Sequence, residues 1–346
     1  MKNLSSDQSV DFRSAPFRDA KLLPVDLDVV RRDDGCVIVQ SRIPLRDYEA
    51  NIAADFARKA EEMGDAPALV KRVSLGEGEW ETTTYRELKA QVDAAAQWLL
   101  DNAPKGRPLL LMSDNTPSFS VITFAAWSAG IPVCPVSMVY GALGGDFGRL
   151  KHVIGKIKPG VIFSENTKAA APALEAIDLG DALVITGQPE VVSKLAIAYR
   201  DILNTVPTDA VQQSISALKL TDTAAYMLTS GSTGLPKLVV ITFDNLAANS
   251  AQCQQTVGKA AGWDDVMLDW LPWHHAAGAF VMRAVLLEGG TLYIDDGKPT
   301  PTLFKESLRN LREVAVCYYN NVPLGYGMLA DAIESDPVLS KKFFSR

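Results

Sequence analysis

The chain has 346 residues, of which 47% are hydrophobic and 22% charged, and this is the composition of an ordinary globular protein with room for about two domains. The net charge is −7, with acidic and basic residues interspersed, which argues against nucleic acid as the main partner. No stretch approaches the ~18 uncharged apolar residues of a membrane helix, the polar amino terminus lacks the apolar core of a signal peptide, and the four cysteines are scattered. We therefore expect a cytoplasmic protein with no membrane partner.

Local signals predict the first elements of the chain. Asp34-Gly35 is typical of a β-hairpin turn, and the apolar spacing over 48–63 predicts an amphipathic helix. Thr84 followed by Glu87 has the spacing of a capping box, which predicts that the next long helix begins there.

Short apolar runs then alternate with helical patterns along most of the chain. This alternation predicts an α/β fold of two doubly wound, mostly parallel lobes. A weakly patterned polar stretch at 206–216 indicates a crossing between them, so we expect a first lobe at 1–220, with an amino-terminal extension, and a second at 221–346. The predicted strands lie at 108–113, 133–137, 161–164, 182–186, 224–228, 238–242, 266–271, 291–294 and 314–319.

The second lobe opens with the nine residues TSGSTGLPK between two predicted strands. Glycine lets backbone N–H groups converge on an anion, hydroxyls add rotatable donors, and lysine supplies a positive charge. Leu238 follows the lysine where a P-loop requires Ser or Thr, so this is another kind of phosphate loop. We expect it to bind a nucleotide polyphosphate through Thr229, Ser230, Gly231, Ser232, Thr233, Gly234 and Lys237.

At every position this loop resembles the phosphate-loop signature of the adenylate-forming family of acyl-CoA ligases, luciferases and peptide-synthetase adenylation domains. Downstream, the segment DWLPWHHAAG at 269–278 resembles the HxxG element that lines the acyl pocket of that family. The resemblance implies ATP, Mg²⁺ and coenzyme A as reactants, with an acyl-AMP intermediate. It also implies roles for individual residues: Lys237 and His275 in catalysis, Thr229 as a Mg²⁺ ligand, and Trp273, His275 and Gly278 in the acid pocket.

Within the family the chain is most similar to the feruloyl-CoA synthases. The supporting stretches are APFRDAKLLPVDLDVVRRDDG, PVSMVYGALGGDFGRLKHVIGKIKPGVIF, DWLPWHH and DDGKPTP. This likeness implies a small aromatic carboxylic acid, ferulate or a relative, as the substrate.

The family pattern continues with an adenine-stacking segment, a ribose-binding aspartate and a small carboxy-terminal domain that carries a catalytic lysine. Tyr326-Gly327 does not supply the first of these, because Met328 and Leu329 follow where Thr and Glu are required. We therefore expect an amino-terminal fragment, with an incomplete second lobe, that does not complete catalysis alone.

Several alternatives remain open from the residues themselves. One alternative for Lys237 is that it attracts the nucleotide over a long range without contacting the transition state. An isolated histidine such as His275 is more often a hydrogen-bonded core residue than a site residue. The chain as a whole can be a non-catalytic remnant that binds a nucleotide or an acyl acid. A phosphotransferase is disfavoured, because no Lys-Ser/Thr pair of the Walker type is present.

Overall fold

The computed structural model describes residues 22–49, 51–73, 78–142, 146–193, 195–229 and 234–345. The described residues form fourteen strands: β1 (Leu27–Arg31), β2 (Val37–Ser41), β3 (Pro67–Arg72), β4 (Trp80–Thr84), β5 (Leu109–Met112), β6 (Val133–Val136), β7 (Val161–Ser164), β8 (Leu183–Thr186), β9 (Ile197–Ala198), β10 (Thr223–Thr229), β11 (Lys237–Thr242), β12 (Val266–Asp269), β13 (Thr291–Ile294) and β14 (Tyr318–Tyr319).

They also form thirteen α-helices: α1 (Ile52–Met63), α2 (Tyr85–Asn102), α3 (Pro117–Ser128), α4 (Val139–Ala142), α5 (Gly148–Ile157), α6 (Thr167–Ala176), α7 (Tyr199–Ile202), α8 (Asp209–Ala217), α9 (Phe243–Val257), α10 (Ala276–Glu288), α11 (Phe304–Glu313), α12 (Pro323–Ser335) and α13 (Pro337–Phe343). The predicted capping box is present at the start of α2. The Glu87 N–H donates to the Thr84 hydroxyl over 3.2 Å, and the Thr84 N–H donates back to the Glu87 carboxylate over 2.8 Å.

Two large sheets organise the molecule. One has seven strands in the order β11-β10-β6-β5-β7-β8-β9, and the other has five in the order β14-β12-β13-β3-β4. Every pairing in these sheets is parallel except β10–β11 and β3–β4, which lie at sheet edges. The predicted doubly wound, mostly parallel α/β fold is therefore confirmed, and the predicted turn at Asp34-Gly35 joins β1 to β2 in a separate hairpin.

The central strand β5 shows how the layers are packed. All four of its side chains are buried, with Leu109 and Leu111 in one core and Leu110 and Met112 in another. A strand buried on both faces is the expected result of helices covering a parallel sheet. The first of these cores also contains Leu292 of the five-stranded sheet, so it lies between the two sheets.

The sheets do not divide the chain at residue 220. The strands β10 and β11, which follow that position, complete the seven-stranded sheet, whereas β3 and β4, which precede it, belong to the five-stranded sheet. The polar stretch at 206–216 is also not a simple crossing, because α8 forms there and buries Val211 and Ile215. Each sheet thus includes one antiparallel strand pair from the part of the chain that was predicted to form the other lobe.

Candidate active site

The strands β10 and β11 form an antiparallel hairpin whose connection is the predicted phosphate loop. Thr229 and Lys237 are directly opposite each other in its last residue pair, and both are exposed. Because β10 runs parallel to β6, Thr229 lies at the carboxyl edge of the sheet, where open α/β sheets bind their ligands. This pair closes the base of the loop.

Only part of the predicted loop is described. Gly234 has a φ of +84°, a backbone conformation that favours glycine, and no neighbouring atom of the described residues lies within 4 Å of where a Cβ would be. Pro236 is buried, and its carbonyl accepts a 3.1 Å hydrogen bond from Nε2 of His152 on α5. The predicted ligands Ser230, Gly231, Ser232 and Thr233 lie outside the described residues.

Below the hairpin lies an apolar cavity of about 310 Å³. Its walls come from β6, β10, β11 and the helices α3, α9 and α10, and they include Phe119, Trp127, Ala225, Met227, Ile241, Trp273 and Phe280. Side chains two residues apart along a strand share a face, so Ala225 and Met227 lie on the same face of β10 as Thr229. The wall of the cavity is therefore continuous with the pair that closes the phosphate loop.

The segment before α10 supplies one wall of this cavity. Trp273 is fully buried, and its ring packs edge-on against Phe119 with the ring centroids 5.5 Å apart. Asn115 fixes the segment from both sides, since its amide donates to the Leu271 carbonyl over 2.9 Å and its carbonyl accepts the Trp273 N–H over 2.9 Å. Asn115, which no sequence motif singled out, is thus the residue that sets the position of the indole.

Gly278 is buried in the first turn of α10, against the same segment. A Cβ at this position would lie 2.5 Å from the carbonyl oxygen of Leu271 and closer still to that of Pro272. The glycine of the HxxG element therefore allows α10 to begin in contact with the backbone of the preceding loop. Gly278 does not line the cavity, so its predicted contact with the acid stays a prediction.

The two adjacent histidines have different environments. His275 is the exposed residue before α10, outside the cavity wall, and its ring centroid lies 4.4 Å from that of His274. Burial, with smaller contributions from the neighbouring charges of His275 and Lys298, lowers the pKa of His274 to about 4. His274 is therefore neutral at physiological pH, and the predicted catalytic role of His275 stays a prediction.

Two ionisable residues of this region were assigned no role from the sequence, although Asp269 is the first residue of the DWLPWHHAAG segment. Burial raises the pKa of Asp269, at the end of β12, to about 7, with a smaller contribution from Asp295, while the Leu271 N–H and the Trp273 indole act in the opposite direction. Arg283 lines the cavity from α10. Its sequence signal is a single cation within the apolar run AAGAFVMRAVLL.

Comparison of the sequence with protein-family models agrees with this geometry. The family model described as AMP-binding enzyme matches residues 56–343, which include the hairpin, the cavity wall and α10. The chain belongs to the AMP-binding enzyme family.

Individual relatives of this family are distant in sequence. The 4-coumarate--CoA ligase-like 9 of Arabidopsis thaliana is 26% identical over 231 residues, which cover 66% of this chain and 38% of that protein. The L-proline--[L-prolyl-carrier protein] ligase of Streptomyces coelicolor is 26% identical over 247 residues, covering 66% of this chain and 43% of that protein. The chain spans about two fifths of the length of these relatives.

Solved structures share the fold. The structure of VinN with L-aspartate superimposes with a TM-score of 0.64 at 20% identity, over 84% of this chain and 66% of that one. MatB from Rhodopseudomonas palustris superimposes with a TM-score of 0.58 at 20% identity, over 82% of this chain and 51% of that one.

Among the described residues, no helix is both long and apolar enough to cross a bilayer.

Proposed function

We propose that this chain carries the acid- and phosphate-binding part of an ATP-dependent acid–CoA ligase. In the first half-reaction, a carboxylate oxygen of the acid forms a bond to the α-phosphorus of ATP, and the bond from that phosphorus to the bridging oxygen breaks to release pyrophosphate. In the second, the sulfur of coenzyme A attacks the acyl carbon and AMP leaves. The proposed acid is ferulate or a related aromatic acid.

One observation carries this proposal, namely the continuity between the cavity wall and the phosphate loop. Met227 lines the cavity, and Thr229 lies two residues further along the same face of β10, which is about 7 Å at the usual rise of a strand. An acid whose body fills the cavity can therefore present its carboxylate beside the phosphates. Holding the two reactants in this way removes much of the entropic cost of a bimolecular reaction.

The exposed end of the hairpin fits the charge that develops during adenylation. Negative charge builds on the departing pyrophosphate, and Lys237 supplies a cation directly opposite the Thr229 hydroxyl. Mg²⁺ prefers hard oxygen ligands, and the exposed Thr229 hydroxyl is an oxygen donor at the base of the loop. Bound there, the ion would neutralise charge on the phosphates.

The aromatic preference rests on the shape and composition of the cavity. Its volume of about 310 Å³ is at the lower end of the range for small-molecule sites, and Trp273 and Phe280 contribute aromatic wall. A planar acid gains ~0.5–1.5 kcal/mol from ring packing beyond the burial of its area, whereas a saturated chain gains the area term alone.

The proposal is tested by exchange of labelled pyrophosphate into ATP, measured with ferulate, cinnamate and octanoate on this chain joined to the carboxy-terminal segments that the family resemblance implies. We expect exchange that depends on the acid and is fastest with the aromatic acids. Lys237→Gln should reduce it at least tenfold, whereas Lys305→Gln, which changes an exposed lysine of α11, should leave it unchanged. Binding of ATP and acid without any exchange would instead support a non-catalytic binding protein.

A second comparison separates the two half-reactions. In the chain joined to the carboxy-terminal segments, replacing Ser232 and Thr233 together with Ala should slow adenylation more than thioester formation from supplied acyl-AMP, because pyrophosphate has left before the second step. Equal losses in both half-reactions would contradict the assignment of these hydroxyls to the phosphate loop.

A further inference from the structure

The cavity that holds the acid in the proposed function contains a buried cation. Arg283 is 4% exposed and lies in α10, where its neighbours Met282 and Ala284 are also buried. Its guanidinium donates two hydrogen bonds to neutral groups of α9: Nη2 to the Asn249 amide oxygen over 3.2 Å and Nε to the Ser250 hydroxyl over 3.4 Å.

No carboxylate of the described residues lies within salt-bridge distance of this guanidinium. Burial lowers the pKa of Arg283, and the one ionisable group of the described residues that acts on it is the thiol of Cys253. An arginine has five N–H donors, and the two hydrogen bonds above use two of them. Buried arginines are almost always paired with an acid, because an isolated buried charge is strongly unfavourable.

The face of Phe280 lies beside the guanidinium, with Cζ 5.5 Å from the ring centroid. The aromatic ring and the two neutral acceptors hold the planar group in one orientation without neutralising it. A guanidinium held in this way, in an apolar cavity, is suited to a planar anion that accepts two parallel N–H donors. The occupant that best fits the cavity therefore brings its own negative charge.

Arg283 and the phosphate-loop pair belong to different parts of the site, because Arg283 lines the cavity whereas Thr229 and Lys237 do not. In the proposed function the reacting carboxylate lies beside Thr229 and Lys237. Arg283 is then left to meet another group of the acid.

We infer that Arg283 binds a second anionic group on the acid substrate, so that the preferred substrates are aromatic acids with a carboxylate at the end remote from the one that reacts. This inference rests on the proposed function and deepens it, since ferulate has only a neutral phenol at that end. Arg283 is then the specificity-determining residue of the cavity.

The test compares 4-carboxycinnamate with its 4-methyl ester, two acids of similar shape that differ by one charge at the remote end. Dissociation constants are measured by isothermal titration calorimetry in the absence of ATP. We expect the wild-type protein to bind the diacid at least tenfold more tightly. Arg283→Met should abolish this preference, Arg283→Lys should keep part of it, and Arg309→Met, a change on α11 outside the cavity lining, should leave it intact.

Equal dissociation constants for the two acids in the wild type, binding of neither up to millimolar concentration, or a preference that survives Arg283→Met would each overturn the inference. A thermal melt of each variant establishes that it is folded. Failure of the proposed function looks different: the diacid is then preferred but supports no pyrophosphate exchange. If ferulate supports exchange without any preference for the diacid, the inference fails and the proposed function stands.

Discussion

Two helical glycines provide a matched test of how the segment before α10 is built. Gly278 and Gly327 both lie in helices, but a Cβ on Gly278 would collide with the Leu271 and Pro272 carbonyls, whereas one on Gly327 would meet no neighbouring atom of the described residues within 4 Å. Alanine is favoured over glycine in a helix by up to about 1 kcal/mol. Overpacking a tight contact costs typically 1–3 kcal/mol, and stiff backbone atoms on both sides place Gly278→Ala near the upper end.

We therefore expect Gly327→Ala to raise the free energy of unfolding by about 0.5–1 kcal/mol and Gly278→Ala to lower it by about 2 kcal/mol. The assay is equilibrium urea denaturation followed by far-ultraviolet circular dichroism, with the slope of the transition compared between variants. Equal stability changes in the two variants would refute the packing argument. A Gly278→Ala protein of unchanged stability that binds acids more weakly would instead favour direct contact between this glycine and the acid.

Three further outcomes follow from the site. Folding raises the pKa of Asp269 to about 7, so between about pH 4 and pH 7 the folded protein holds a proton that the unfolded chain releases. The free energy of unfolding therefore falls by up to ~4 kcal/mol as pH rises across that window. Asp269→Asn should flatten this dependence when unfolding is measured at several pH values. Trp273→Leu should cost about 2–4 kcal/mol of stability, because the indole is fully buried. In the chain joined to the carboxy-terminal segments, it should also narrow the kcat/KM preference for aromatic over medium-chain acids by up to about tenfold, and an unchanged preference would assign Trp273 to packing alone. Burial lowers the pKa of Arg283 to about 10, which corresponds to roughly 3 kcal/mol of destabilisation. Arg283→Met should therefore raise the melting temperature of the protein by a few degrees. A lower melting temperature would mean that the hydrogen bonds from Arg283 to Asn249 and Ser250 stabilise the fold.

The sequence predicted the regular part of the fold where each strand buries both of its faces. The strands β5, β6 and β7 are short apolar runs with all four side chains buried, and each was predicted to within one or two residues. The same signals could not assign strands to sheets. Pro67–Arg72 pairs with a strand more than 200 residues away, and its local sequence carries no information about that partner.

Weak amphipathic patterns explain another difference. The helix α8 buries two residues four positions apart, Val211 and Ile215, and its remaining polar residues make the segment similar to a linker. At the carboxyl end, β14 is limited to Tyr318–Tyr319, although the apolar run that predicted it begins at residue 314.

In the site, motif matching located the hairpin and Trp273 but could not orient side chains. Trp273 lines the cavity and His275, two residues later, lies outside its wall, because α10 begins immediately after the histidine. Arg283 was missed because a single charge in an apolar helix has meaning only once the face of the helix that bears it is known. Asn115 acts through contacts more than 150 residues away in sequence, which no local pattern encodes.

In the hairpin of β10 and β11, the strands that maintain the fold and the loop proposed to carry the chemistry are different residues, so the loop can change while the strands stay the same. Its strands are held by six residue pairs below the loop, so the seven residues at 230–236 are not needed for pairing. Closing a loop of seven residues costs only about 0.5 kcal/mol more than closing one of four. Apart from Gly234, whose positive φ favours glycine, and the buried Pro236, we therefore expect substitutions in the loop to carry little penalty in stability, so that a descendant of this chain can lose or change its reaction while folding as before. For proteins built this way, a cooperative melting curve is no measure of catalytic competence.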